Sequence, residues 1–92
     1  MNKAQFIDKI AKKTGHKKQE IESIIDAALD IIQSTVARGD EVKLVGFGVF
    51  DRSQRQARNA VHPKTGDKLK LPETRFPRFR PGKSFKILVQ NK

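Results

Sequence analysis

The chain has 92 residues, and its 20 Lys and Arg outnumber 10 Asp and Glu to give a net charge of +10 and a pI near 10.3, the size of one small domain. Only 36% of the residues are hydrophobic and none is cysteine, which excludes a disulfide framework and a thiolate metal site and leaves a core so modest that oligomerisation is a common remedy. No apolar run reaches the roughly 20 residues that span a bilayer, and MNKAQFIDKIAKK is too interrupted by charge for a signal peptide, so the expectation is a soluble, intracellular protein without a membrane partner.

Asn2 with Gln5 three positions later has the pattern of a capping box, predicting a first helix that carries Phe6, Ile7, Ile10 and Ala11 on one face and stops at Gly15. A second helix is predicted from Ile21, Ile24, Ile25, Ala28, Leu29, Ile32 and Val36, which recur at offsets of three and four. Ala27 and Ile31 widen that stripe beyond what one short partner helix covers, which predicts a dimer with no stable folded monomer. Gly39 ends the helix; its start has no favoured N-cap, since His16 is not one. EVKLVGFGVF then switches to period two, and the glycines either side of Phe47 suit a tight connection between two short strands. DRSQRQAR is strand-compatible and almost devoid of apolar residues. Arg58 to Val61 and Lys68 to Leu71 read as strands around HPKTGD, TRFPRFR alternates again, and GKSFKILVQ suits a short C-terminal helix entered through Pro81 and Gly82. Pro72 and Pro77 fall within the return strand, which must therefore have an open side. The reading is an α+β chain: helix, helix, hairpin, long polar β-arm, return strand, helix.

The charge is not spread evenly. Arg52, Arg55, Arg58, Lys64, Lys68, Lys70, Arg75, Arg78, Arg80 and Lys83 are opposed in that segment only by Asp67 and Glu73, so a third of the chain carries +8 of the +10. An ordinary solvated surface mixes signs, whereas a cationic extension on a nearly neutral base points to a polyanion. Twelve residues from Arg52 to Pro63 reach about 40 Å when extended, long enough to track around a DNA duplex. Arginines along such an arm suit phosphates or the narrow minor groove. At the tip, Val61 and Pro63 are an apolar wedge for a base step, or Pro63 only shapes a turn with Gly66 and Asp67. Lys83 and Lys86 stand near the start of the last helix, whose free N–H groups also suit a phosphate, and Gly82 leaves room for a sugar-phosphate backbone. Phe47, Phe50, Phe79 and Phe85 are stacking platforms for single strands or core; their apolar surroundings favour core.

GFGVF followed by RQAR, HPKTG and FRPGKSFK, together with MNKAQFIDKIAKKTG and GDEVKLVGFG, resembles the bacterial histone-like HU and integration host factor family over the whole chain. The resemblance implies a homodimer, or a heterodimer with a paralogue, in which two chains intertwine. Residues 1–50 would then form a helical dimerisation body and hairpin, 51–80 a sheet and DNA-binding β-arm, and 81–92 a C-terminal helix, within a single domain. It further implies cofactor-free, largely sequence-independent binding and bending of double-stranded DNA through the minor groove, and a cytoplasmic, nucleoid-associated protein. Pro63 becomes the wedge; Arg55 and Arg58 become phosphate or groove contacts, and Lys3 matches a contact position. Ile25, Leu29, Ile32, Val36 and the four phenylalanines become the dimer core. The tip departs from the family's usual Gly-Arg-Asn-Pro: Ala60, Val61, His62 and Pro63 stand there, which removes one groove cation. His62 is either a base-edge or phosphate donor or a turn residue.

Other classes fit less well. Two histidines without cysteine or tyrosine form neither a zinc site nor a supported triad, so no enzyme is expected. A small basic RNA-binding, ribosome-associated protein is the alternative that shares the charge. An anionic-membrane binder is disfavoured by Glu20, Glu22, Asp26 and Asp30 on the long helix.

Overall fold

The computed structural model describes residues 1–91, so Lys92, at the end of the expected C-terminal segment, lies outside the described residues. The elements run α1 (Lys3–Thr14), α2 (Lys18–Ala37), β1 (Val42–Leu44), β2 (Gly48–Arg55), β3 (Arg58–Val61), β4 (Lys68–Leu71), β5 (Thr74–Pro81) and α3 (Lys83–Gln90). The α+β order expected from the sequence is the observed one. The chain divides into two compact units, Met1–Ser34 and the part from Thr35 onward.

In the first unit the capping box forms as the sequence predicts. The Asn2 side chain accepts from the Gln5 N–H at 2.9 Å and the Gln5 side chain accepts from the Asn2 N–H at 3.0 Å, satisfying two of the N-terminal donors. Gly15 caps the other end, its N–H donating to the Ala11 carbonyl. Ile7 and Ile21 are buried, while Ile24 and Ile31 remain 67% and 60% exposed.

In the second unit α2 ends in a Schellman motif: Gly39 donates to Val36 and Asp40 donates to Thr35, with Gly39 at a φ of 93° that a side chain would strain. β1 and β2 are joined by a turn in which Phe47 donates to Leu44 at 2.9 Å, and β2 then pairs antiparallel with β5 over eight residues to give the order β1-β2-β5. Gly48, central in this sheet, is glycine because of a close approach. A Cβ there would lie 2.5 Å from the Phe79 ring and 2.7 Å from the Arg80 carbonyl. Phe47, Phe50, Phe79 and Phe85 form one tilted cluster with ring centroids 4.7 to 6.3 Å apart, the unit's own apolar centre.

The arm differs from the uninterrupted ribbon that the sequence suggested. Both strands break at the same level: residues 56–57 separate β2 from β3, and residues 72–73 separate β4 from β5, so β3–β4 is a second, two-stranded sheet. Pro72 explains the break, since it lacks a ladder donor and restricts the residue before it. Pro72 therefore lies between strands rather than within one, while Pro77 lies in β5, an edge strand with an open side. Pro81 completes β5, and α3 begins only at Lys83.

Candidate nucleic-acid interface

At the base of the arm the cations are held by acids. Asp51 lies opposite Arg78 in the β2–β5 register and two residues from Val49, which faces Arg80. Its carboxylate, 13% exposed, accepts from Arg78 Nε at 2.8 Å and Nη2 at 3.0 Å and from Arg80 Nε at 3.0 Å. Arg80 also lies 3.7 Å from Glu41. The Arg78 hydrogen bond, followed by that of Arg80, holds the Asp51 carboxyl below the usual carboxylate range, and Asp51 raises Arg78 in return. Glu73 accepts from Gln54 at 2.6 Å and from Arg75 at 3.3 Å. Arg52 turns inward and donates to the Ala37 carbonyl at 3.2 Å, satisfying an orphan acceptor at the end of α2.

Beyond the break the picture changes. β3 and β4 pair Arg58 with Leu71, Asn59 with Lys70, Ala60 with Leu69 and Val61 with Lys68. Among the described residues, Arg58, Lys64, Lys68 and Lys70 have no acidic partner within ion-pair distance, and neither does Arg55, the last residue of β2 on the near side of the break. The tip is closed by His62, whose N–H donates to the Asp67 carbonyl at 2.8 Å and whose carbonyl accepts from Gly66 at 2.9 Å. The ring takes part as well: Nδ1 accepts from the Lys64 N–H at 3.2 Å and from the Thr65 N–H at 3.3 Å. Pro63 is exposed at the start of the turn, next but one to Val61, which is 63% exposed.

The remaining sequence candidates lie away from the arm. Lys83 and Lys86 are exposed at the start of α3, which has no side-chain N-cap bond. Gly82 donates to the Phe47 carbonyl at 2.8 Å, and a Cβ on it would approach that oxygen to 3.2 Å, so the chain's own turn accounts for the glycine. Lys3 is ion-paired to Asp26, whose hydrogen bond raises its pKa. Of the proposed core set, Val36 is buried, and Ile25, Ile32, Phe50, Phe79 and Phe85 are half-buried. Leu29 and Phe47 remain exposed in the single chain. Sequence reasoning missed Asp51. It lies one residue before the cationic segment, and only the β2–β5 register reveals that it faces Arg78.

The family described as "Bacterial DNA-binding protein" matches residues 1–90. The chain is similar to the DNA-binding protein HU of Thermus thermophilus, 41% identical over 90 residues that cover 98% of this chain and 93% of that protein. It is 42% identical to that of Nostoc over 89 residues, covering 97% of this chain and 95% of the relative. In three dimensions it resembles an Anabaena HU–DNA cocrystal structure with a TM-score of 0.84, 40% identity and full coverage of both chains. It also resembles HU from Thermotoga maritima, with a TM-score of 0.69, 34% identity, and 97% and 98% of the two chains covered. The chain belongs to the bacterial DNA-binding protein family.

Proposed function

We propose that this protein is an architectural, histone-like binder of double-stranded DNA that bends and compacts it largely without regard to sequence, as a nucleoid-associated dimer. The observation that carries the reading is the distal ribbon, whose cations lack acidic partners, on the fold of a protein solved with DNA. A two-stranded ribbon of this length is marginal in water, so a duplex that neutralises its charge also orders it. The DNA-contact set is Arg55, Arg58, Lys64, Lys68 and Lys70, supported by Lys83 and Lys86. Arg75, Arg78 and Arg80, and Lys3, join it by exchanging a carboxylate for a phosphate. Arg52 belongs to the body instead.

Pairing of two chains follows from the apolar surface the single chain leaves open. Ile24, Leu29 and Ile31 on α2 and Ile87, Leu88 and Val89 on α3 are all more than two-fifths exposed, an area that a chain of this size normally covers. A homodimer built on α2, the phenylalanine cluster and α3 covers it, and two arms then embrace one duplex.

At each tip, Pro63 and Val61 form the wedge. Inserting it costs a few kcal/mol of unstacking, offset when the bend brings more cationic surface onto the backbone. Pro63→Ala is expected to weaken binding to an intact linear duplex and reduce its bend, measured by energy transfer between end labels. A nicked duplex, already unstacked, is expected to bind almost as before. Equal bending by the two proteins would leave Pro63 a turn former and nothing more.

A further inference from the structure

The two faces of the distal ribbon are chemically unlike. Residues opposite one another in an antiparallel pair share a face, so the register sets Asn59, Val61, Lys68 and Lys70 on one side and Arg58, Ala60, Leu69 and Leu71 on the other. On the second side Ala60 and Leu71 are half-buried and Leu69 is 40% exposed. On the first side all four residues are exposed, and two are lysines without an acidic partner among the described residues. That side is the one suited to a polyanion.

Asn59 is the residue there that phosphate contact does not explain. Asn is disfavoured in strands, where its carboxamide competes with the ladder. Its side chain makes no hydrogen bond among the described residues. By contrast, Asn2 and Gln5 cap α1 and Gln54 holds Glu73. Nor does Asn59 shape the tip, which His62 closes. A carboxamide carries no charge for a phosphate, but it has the donor and acceptor that read base edges in the minor groove. Asn59 stands two residues from Val61 on the same face, about 6.6 Å along the strand, or about two base steps from the wedge. Lys70, directly opposite, draws the carboxamide oxygen towards its ammonium and leaves the NH2 to face the groove.

We infer that Asn59 is a specificity-determining residue: its NH2 donates to the adenine N3 and thymine O2 acceptors of the minor groove and gives the arm a preference for A·T over G·C pairs. The guanine 2-amino group projects into the same groove, sets a second donor against that NH2, and so disfavours G·C. The two lysines reinforce the choice, since the narrow groove of A·T tracts holds the stronger negative potential. Arg58, on the opposite side, is left to the phosphates and adds affinity without preference. This preference rests on the DNA-binding reading above and adds a modest sequence dependence to it.

Gel shifts with the full chain on three duplexes of one length, whose central pairs are A·T, G·C or inosine·cytosine, test it. Inosine lacks only the 2-amino group of guanine, so its pair keeps the major-groove edge of G·C and the minor-groove edge of A·T. The parent is expected to bind the A·T and inosine duplexes alike and the G·C duplex about fivefold more weakly, the worth of one net hydrogen bond. Asn59→Ala is expected to bind all three within about twofold and to keep the parent's salt slope, because no charge is removed. Asn59→Val, a stronger strand former, is expected to lose the preference in the same way, which separates base reading from folding. A parent that bound the three duplexes alike would overturn the inference, as would tighter binding to G·C. A preference that survived in either variant would overturn it too, by assigning the choice to the deformability of the duplex. A parent that bound no duplex at all would instead refute the DNA-binding reading itself.

Discussion

The base and the distal half of the arm have similar composition and opposite electrostatic states. At the base, β2 and β5 pair over eight residues, rest on the phenylalanine cluster, and tie Arg78 and Arg80 to Asp51 and Arg75 to Glu73. In the distal half, β3 and β4 pair over four residues, lack a core, and leave Arg58, Lys64, Lys68 and Lys70 without acidic partners among the described residues. Folding needs the first arrangement: like charges along a sheet edge repel unless compensated. Binding a polyanion needs the second, because a cation already paired must give up its carboxylate before it gains a phosphate. One ribbon is thus divided at residues 56–57 and 72–73 into a part that holds itself and a part that waits to be held.

The largest expected effect tests whether only the base supports stability. Phe79 packs against Phe50 at 4.7 Å and Phe47 at 5.2 Å between ring centroids. Phe79→Ala is expected to destabilise the protein by about 3 kcal/mol, the low end for a phenylalanine because the ring is half-buried. Val61→Ala at the tip is expected to cost less than about 0.5 kcal/mol. Urea unfolding at one fixed protein concentration measures both, since a dimer's stability depends on concentration. Comparable losses at the two sites would erase the division.

Next in size is the contrast between a free and a tied arginine. Arg58→Ala is expected to weaken binding to all duplexes alike and to reduce the salt slope by about two, roughly one for the arginine lost from each arm of the dimer. Arg78→Ala is expected to reduce it by clearly less, because that guanidinium already neutralises Asp51. Gel shifts across a salt series decide it; equal slopes for the two variants would mean that the ion pair with Asp51 does not hold Arg78 back.

Much of this was legible in the sequence, and the exceptions have physical causes. The capping box at Asn2, the stop at Gly39 and the strands flanking HPKTGD were readable because each rests on local chemistry within a few residues. The Asp51–Arg78–Arg80 group was not, because it depends on the register of strands far apart in sequence. Nor was the inward turn of Arg52, whose partner is a backbone carbonyl and leaves no mark on side-chain composition. Local signals fix where elements begin and end; which charges remain free is decided by pairing across the sheet.

Asp51 itself gives a smaller, pH-dependent effect. Its folded-state pKa lies below the unfolded value of about 3.9, so the stability it contributes is present above that pH and is lost as pH falls through the folded value. Asp51→Asn is expected to be less stable than the parent at neutral pH, with the two melting curves converging below about pH 4. The same variant frees Arg78 and Arg80, so its salt dependence with DNA is expected to steepen. A constant gap in melting temperature from neutral pH down to pH 3 would show that the carboxylate's charge is not what holds the base.

The smallest effect is at the tip, where His62 stands. The ring accepts from two consecutive backbone N–H groups through Nδ1, which is what an Asn side chain does at the first position of such a turn. On a turn-forming role for His62, an Asn carboxamide in its place supplies the same acceptor ahead of Pro63. His62→Asn is therefore expected to leave both bend and affinity nearly unchanged. His62→Ala, which removes the acceptor but not the backbone bonds to Asp67 and Gly66, is expected to loosen the turn by about 0.5 to 1 kcal/mol. Severalfold faster amide exchange at Lys64 and Thr65 reads that loosening directly, with little change in global stability because the distal ribbon has no core to lose. If the Asn and Ala variants bent DNA equally poorly while the turn amides of the Asn variant stayed protected, the imidazole would be touching DNA rather than holding Pro63 in place.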